Sequence, residues 1–230
     1  MSIRGSLSKT RSDEDGPLVS VILPTYEDSE YIGSALRSIA AQTYSHVEVI
    51  LIDSSGVSWL KSLADEVDWI KYSFQKPTGL AAARNKGIDL AEGEYVGFLD
   101  ADDKWLPEKL DRQLDVLNNG VDLVYSDVYI QKEKIRRRVK SLPINDPETH
   151  HIDFLYEGGV PILSVVVRRR CLETECFDES LPAVEDRHII IRLFHEYTPG
   201  RVAEPLAVYT RRADSMSSNA DMMHKAEIMV

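Results

Sequence analysis

A chain of 230 residues, 43% hydrophobic and 28% charged, holds enough apolar material for a substantial core without covalent staples. Its net charge of -11 argues against a nucleic-acid surface as the main partner, and no apolar run approaches the ~18 residues of a membrane-spanning helix. Cys171 and Cys176 lie five apart with no His or Cys beside them, which makes neither a disulfide framework nor a metal site, and they read as ordinary residues of a reducing compartment.

Residues 1–16 are polar, carry no apolar signal core and read as a disordered tail. The run from Leu18 to Leu23 is nearly all apolar and stops at Pro24, the pattern of a strand buried on both faces. Ile32, Ala35, Leu36, Ile39 and Ala40 then recur at helical spacing, with Asp28 and Ser29 as capping candidates. Val47 to Asp53 is a second buried strand; Leu60, Leu63, Ala64 and Val67 mark a helix; Trp69 to Phe74 is a shorter strand.

Gly79 opens a helix carrying Leu80, Ala83, Gly87, Ile88 and Ala91, and Tyr95 to Leu99 is the fourth strand. A stripe of Leu106, Leu110, Leu114 and Leu117 follows, with Pro107 expected in the first turn, where a missing N–H costs nothing. Val121 to Val128 is a fifth strand. Strand and helix alternate through this first half, which predicts an α/β fold with a mostly parallel, doubly wound sheet.

Residues 131–160 read as a connection with one short helix near Phe154. The basic patch Arg136, Arg137, Arg138 and Lys140 in it reads as a solvated loop or edge strand. Val160 to Val167 is a strand, Ile189 to Tyr197 a helical stripe, Arg201 to Tyr209 the last strand, and residues 216–230 a helical tail.

The most informative stretch is Gly93 to Asp103, where a short apolar strand runs into Asp100, Asp102 and Asp103. Hard oxygen ligands at a strand end suit Mg²⁺ or Mn²⁺, and the carboxyl ends of strands are where open α/β sheets bind ligands. There is no Gly-x-Gly-x-x-Gly after the first strand and no Gly-Lys-Ser/Thr, so a metal would have to take over from a glycine cradle in binding phosphates. An acidic turn capping the next helix is the plainer reading of the cluster taken alone. Pro24-Thr25-Tyr26-Glu27 and Asp53 end neighbouring strands in the same layer.

Val19-Ser20-Val21-Ile22-Leu23-Pro24-Thr25-Tyr26, then Gln42-Thr43-Tyr44, then Gly79 to Ile88, then Gly93-Glu94-Tyr95 and Phe98 to Asp103, together resemble family 2 glycosyltransferases. Phe177-Asp178-Glu179-Ser180-Leu181 followed by Glu185-Asp186 is similar to the same family further on. The resemblance covers roughly residues 18–215 and implies a GT-A fold. That fold is a Rossmann-like, mostly parallel sheet flanked by helices, with a mixed C-terminal subregion on the acceptor side. It implies one domain over 17–215, with 17–130 binding the nucleotide-sugar and 131–215 supplying acceptor contacts and the base.

The resemblance implies a nucleotide-sugar site from Pro24, Thr25, Tyr26, Glu27, Asp53, Arg84, Asp100, Ala101 and Asp102. Asp102, with Asp100 and Asp103, would hold Mn²⁺ or Mg²⁺, and Asp186 would be the general base. The implied activity is inverting transfer of a sugar from a UDP-, GDP- or dTDP-linked donor to a hydroxyl of a glycan, polysaccharide or lipid-linked acceptor. A cytoplasmic location is expected, and peripheral contact with the cytoplasmic membrane face stays open.

The chain departs from the family pattern at Ser54, where a second acid is usual, at Glu27, at His188 and at Tyr209-Thr210-Arg211-Arg212. A nucleotidyltransferase with a similar layout, or a degenerate nucleotide-sugar-binding module, are the alternatives. The first lacks a Gly-rich basic loop after strand one, and the second is fed by Ser54 but opposed by Asp100, Asp102 and Asp186.

Overall fold

The computed structural model describes residues 7, 16–26, 31–144, 159–181 and 183–212. The capping candidates Asp28 and Ser29, Glu27, the helix expected near Phe154 and the C-terminal tail lie outside the described residues. Leu7, within the segment expected to be disordered, is buried, and its carbonyl accepts the Trp69 indole N–H at 3.3 Å.

Among the described residues nine strands form one sheet: β1 (Val19–Thr25), β2 (Val47–Asp53), β3 (Ile70–Phe74), β4 (Tyr95–Phe98), β5 (Lys104–Trp105), β6 (Leu123–Lys132), β7 (Ile135–Val139), β8 (Val166–Arg168) and β9 (Pro199–Thr210). The order is β3-β2-β1-β4-β8-β6-β9-β5, with β7 pairing on β6. The first four spatial neighbours are parallel, as the β-α-β alternation predicts. Beyond β4 the sheet is mixed: β8 runs antiparallel to β4 and β6, while β6 and β9 run parallel.

Pro24 does not end β1, contrary to the sequence reading. β4 pairs with β1 only as far as Ile22 opposite Phe98, so the missing N–H of Pro24 falls beyond that ladder. β6 continues past Val128 to Lys132 and turns into β7, so the supposed connection holds a hairpin. The all-exposed Ile-Arg-Arg-Arg-Val of β7 shows no apolar alternation, which is why only the edge-strand option anticipated it. Of the run from Val160 to Val167, Ile162–Ser164 is a 3₁₀ turn and only the end belongs to β8.

Among the described residues five helices cover the sheet: α1 (Ile32–Ala40), α2 (Ser58–Ala64), α3 (Leu80–Leu90), α4 (Lys109–Leu117) and α5 (Glu185–Glu196). Pro107 sits just ahead of the α4 N-cap, Glu108, rather than in the first turn. The apolar faces of α1, α2 and α4 share one core with β1 and β2, and α5 packs with Phe98, Tyr125 and Phe177 in a second.

Gln42-Thr43-Tyr44 has a packing role. The Gln42 amide donates to the Leu106 carbonyl at 2.8 Å and accepts from Leu110 N, and Thr43 N donates to the Pro107 carbonyl, so the end of α1 locks the start of α4. Gly87 and Gly93 are needed for close approach. A Cβ at Gly87 would meet Ile22 at 2.5 Å, and one at Gly93 would meet the Leu18 carbonyl at 2.6 Å.

Candidate active site

The carboxyl ends of β1 and β4, the start of α3, the residues leading into α5 and the end of β9 enclose a cleft of about 660 Å³. Pro24, Thr25, Tyr26, Arg84, Asp100, Ala101, Asp102 and Asp186 line it. The fold therefore brings together eight of the residues singled out in the sequence, from segments more than eighty positions apart. Thr25 Oγ1 is buried at this wall with no hydrogen-bond partner among the described residues, a cost of about 1–3 kcal/mol that a ligand hydroxyl or phosphate would relieve.

Arg84 is the hub. It lies on the buried face of α3, only 2% exposed. One guanidinium nitrogen donates to Glu185 Oε1 at 2.7 Å, and the other reaches both Asp100 oxygens at 2.9 and 3.1 Å. Its plane lies over the Phe177 ring. Burial works against the charge, but Asp100, Glu185 and Asp186 outweigh it and hold the guanidinium protonated above its ordinary range. The planar fork thus ties α3 to the β4 end and to the start of α5. Both terminal nitrogens are engaged by carboxylates, while Nε, also buried, has no partner among the described residues.

Asp186 stands in the first turn of α5 on the cleft wall. Its Oδ1 accepts the Arg187 N–H at 2.7 Å. Burial pushes its carboxyl above the usual range, the Arg84 charge and the Arg187 amide pull it back, and Asp100 adds to the rise. Glu185 is likewise raised by burial against the pull of Arg84. Val184, just before them, adopts φ 58° and ψ 19°. A β-branched residue there costs about 1–3 kcal/mol, and such strain gathers at functional sites.

Asn85 fixes the approach to α5. Its amide donates to the Phe177 carbonyl and accepts from Phe177 N, both at 2.9 Å, while Phe177 packs edge-on against Phe98.

The three aspartates after β4 do not converge. Among the described residues no group of three or more His, Cys, Asp or Glu could hold a metal ion. Asp100 turns to Arg84, and Asp102 faces Arg212, whose Nε lies 3.4 Å from Oδ2. Asp103 is buried away from the cleft lining, with Oδ1 accepting Thr210 N at 2.7 Å and Oδ2 without a partner among the described residues. Consecutive residues of a tight turn point in different directions, so spacing alone misleads here. What remains at the wall is Asp102, with Asp100 next to it. That donor set suits a Mg²⁺-type ion, which is commonly held by one or two carboxylates with substrate phosphates and water completing its shell.

Asp53 is not on the cleft wall. Its Oδ1 accepts Ser55 N, Ser55 Oγ and Gly56 N, and its Oδ2 accepts the Tyr72 hydroxyl at 2.8 Å. Burial and this carboxylate together push the Tyr72 hydroxyl up to about 12. The neighbour that lines the cleft is Ser54. Glu27 lies outside the described residues. His188 is one turn into α5 and does not line the cleft.

Sequence reasoning left Glu185 without a role of its own and missed Thr78, Gly79 and Ser180 of the lining. The burial of Arg84 follows from its helical spacing with Ala81 and Gly87, which puts a cation on the buried face. Nothing in the sequence signals that the end of β9 folds back onto Asp103 and so carries Tyr209, Thr210 and Arg212 to the wall.

Residues 20–170 match the family model described as "Glycosyl transferase family 2". The amylovoran biosynthesis glycosyltransferase AmsB of Erwinia amylovora is 32% identical over 228 residues, covering 90% of this chain and 73% of that protein. Among curated relatives the overlap is often smaller: the match spans 42% of one and 37% of another. S. aureus TarS residues 1–349 in complex with UDP-GlcNAc superposes with a TM-score of 0.73 at 22% identity, covering 92% of this chain and 66% of that one. The mannosyltransferase PcManGT of Pyrobaculum calidifontis, solved with GDP-Man and Mn²⁺, gives 0.68 at 20% identity, covering 97% and 67%. The architecture is thus the GT-A fold that the sequence resemblance implies.

Proposed function

From a chain that belongs to glycosyl transferase family 2, we propose inverting transfer of a sugar from a nucleotide-diphosphate donor to an acceptor hydroxyl. The observation that carries this reading is one cleft holding Asp102 at the β4 end and Asp186 at the start of α5, with their neighbours Asp100 and Glu185 tied together by Arg84. Inversion at an anomeric carbon is a single in-line displacement. The acceptor oxygen bonds to C1, the bond from C1 to the diphosphate oxygen breaks with its electrons leaving on the diphosphate, and the acceptor proton passes to Asp186. A carboxylate whose proton affinity is raised by burial takes that proton more readily than an exposed one.

Asp102, with Asp100 beside it, would hold Mn²⁺ or Mg²⁺, which when bound would offset the charge of the leaving diphosphate. Thr25, Tyr26 and Ser54, which line the cleft, would meet the nucleoside, and Arg212 beside Asp102 would meet phosphate oxygens. With Asp53 spent on its own turn, Ser54 is the side chain through which base preference would be read at that position. Uridine, guanosine and thymidine diphosphate sugars are all candidates. The acceptor would be a glycan, a growing polysaccharide or a lipid-linked sugar.

A thermal-shift screen of UDP-, GDP- and dTDP-sugars with and without Mn²⁺ tests this. Binding to the native state raises the melting temperature by mass action. One donor class should stabilise the protein, and more so with the ion. No shift with any nucleotide-sugar at saturating concentration rejects the reading.

A further inference from the structure

The β6–β7 hairpin carries a charge unlike the rest of the molecule. Residues 132–140 hold Lys132, Lys134, Arg136, Arg137, Arg138 and Lys140 against one acid, Glu133, on a chain of net charge -11. None of them lines the cleft. The two faces of β7 differ. On one, Arg138 is bound to the buried Asp127 carboxylate at 2.6 Å and Arg136 lies over the Tyr129 ring, which pins the hairpin to the sheet. On the other, strand alternation aligns Ile135, Arg137 and Val139, opposite Lys132, Ile130 and Val128.

Ile135 is 75% exposed, the most exposed large apolar side chain among the described residues. Arginines and lysines on an edge strand guard against strand-to-strand pairing, and that alone would account for the charge. It does not account for Ile135 and Val139, both exposed, interleaved with cations on that face. A soluble polyanion would need only the cations. Apolar side chains flanked by long basic ones suit a lipid interface, where the apolar groups enter the acyl boundary and the cations meet headgroup phosphates.

We propose that the exposed end of the β6–β7 hairpin, around Ile135, docks the protein on an anionic phospholipid membrane. The test is co-sedimentation of the full chain with phosphatidylcholine vesicles and with vesicles containing phosphatidylglycerol, at low and high salt. Binding is expected only to the anionic vesicles and is expected to weaken with salt. The combined variant Lys132→Gln, Lys134→Gln, Arg137→Gln, Lys140→Gln should lower the partition coefficient at least about tenfold. Ile135→Ser alone should lower it measurably, with nucleotide-sugar thermal shifts unchanged in both variants.

Three results would overturn the proposal. The first is no binding to anionic vesicles. The second is wild-type partitioning by the charge variant together with self-association, which would leave edge protection as the only role. The third is unaltered partitioning of Ile135→Ser together with equally tight binding to a soluble acidic polysaccharide, which would make the surface a polyanion site.

Discussion

Replacing Arg84 with Met keeps an unbranched apolar stem and removes the charge that Asp100 and Glu185 share. Arg84 is 2% exposed and the Glu185 side chain 8%, while the Asp100 side chain keeps 30% of its surface in solvent. Removing one partner of a buried ion pair costs about 3–5 kcal/mol, because the partner is left charged in a poor solvent. Water can reach Asp100, so the lower end, about 3 kcal/mol, is expected. At ~2–4 °C per kcal/mol for a chain of this size, the melting temperature should fall by about 6–12 °C.

The loss should depend on pH. Glu185 already has its carboxyl raised by burial with Arg84 present, and without Arg84 it rises further. A carboxyl raised in the fold contributes its full stability below its unfolded value and loses it as pH rises through the folded value. The deficit of Arg84→Met should therefore be largest near pH 8 and shrink toward pH 5. Urea unfolding of wild type and variant at both values measures it. A deficit under about 1 kcal/mol, or one equal at the two pH values, would refute the assignment of Arg84 as a buried electrostatic clamp. Arg84→Lys should fall between, since it keeps the charge but loses the two-pronged contact with Asp100.

Asp186→Asn should abolish sugar transfer while leaving the donor-induced thermal shift in place, and normal turnover in this variant would remove Asp186 as base. In the wild type the acid limb of kcat/KM should sit above the ordinary carboxylate range, because the base is raised and the rate falls as pH drops through it. Chelation by EDTA should stop transfer and added Mn²⁺ or Mg²⁺ restore it, whereas Asp102→Asn should lower the affinity for the ion in a titration of the nucleotide-bound protein; full activity in EDTA would sink the metal role. Gly93→Ala should cost about 1–3 kcal/mol by denaturant titration, since its Cβ would press on the backbone at Leu18 and Ser20 rather than on a yielding side chain. A neutral result there would mean that the β1–β4 approach is looser than drawn.

The parallel half of the sheet was legible because its signal is local. Val19 to Leu23 and Val47 to Ile52 are buried on both faces, and such strands read as unbroken apolar runs. The far half was harder because β5 has two residues, β7 is wholly exposed, and β9 contacts β6 across irregular register at Ser126 and Asp127. The site divides the same way. Asp100, Asp102 and Asp186 were legible as residue types in a familiar arrangement. Which of their neighbours face the cleft was not, because that depends on turn geometry and on a contact between Asp103 and Thr210, 107 positions apart.

The acidic residues of these motifs divide by direction as well as by position. Asp53 and Asp103 are fully buried and accept backbone N–H groups: Asp53 closes the turn that presents Ser54, and Asp103 holds the strand end that presents Tyr209, Thr210 and Arg212. Asp102 and Asp186 keep access to the cleft, and Asp100 stands between, exposed to the cleft on one side and clamped by Arg84 on the other. Carboxylates this close repel one another, and Arg84 is the charge that lets Asp100, Glu185 and Asp186 crowd one wall. A single guanidinium thus couples the donor-side carboxylate to the helix that carries the base. Any movement of α5 that breaks the Glu185 contact would leave the Glu185 carboxylate buried without its cation, so the two ends of the cleft are held in register by one guanidinium.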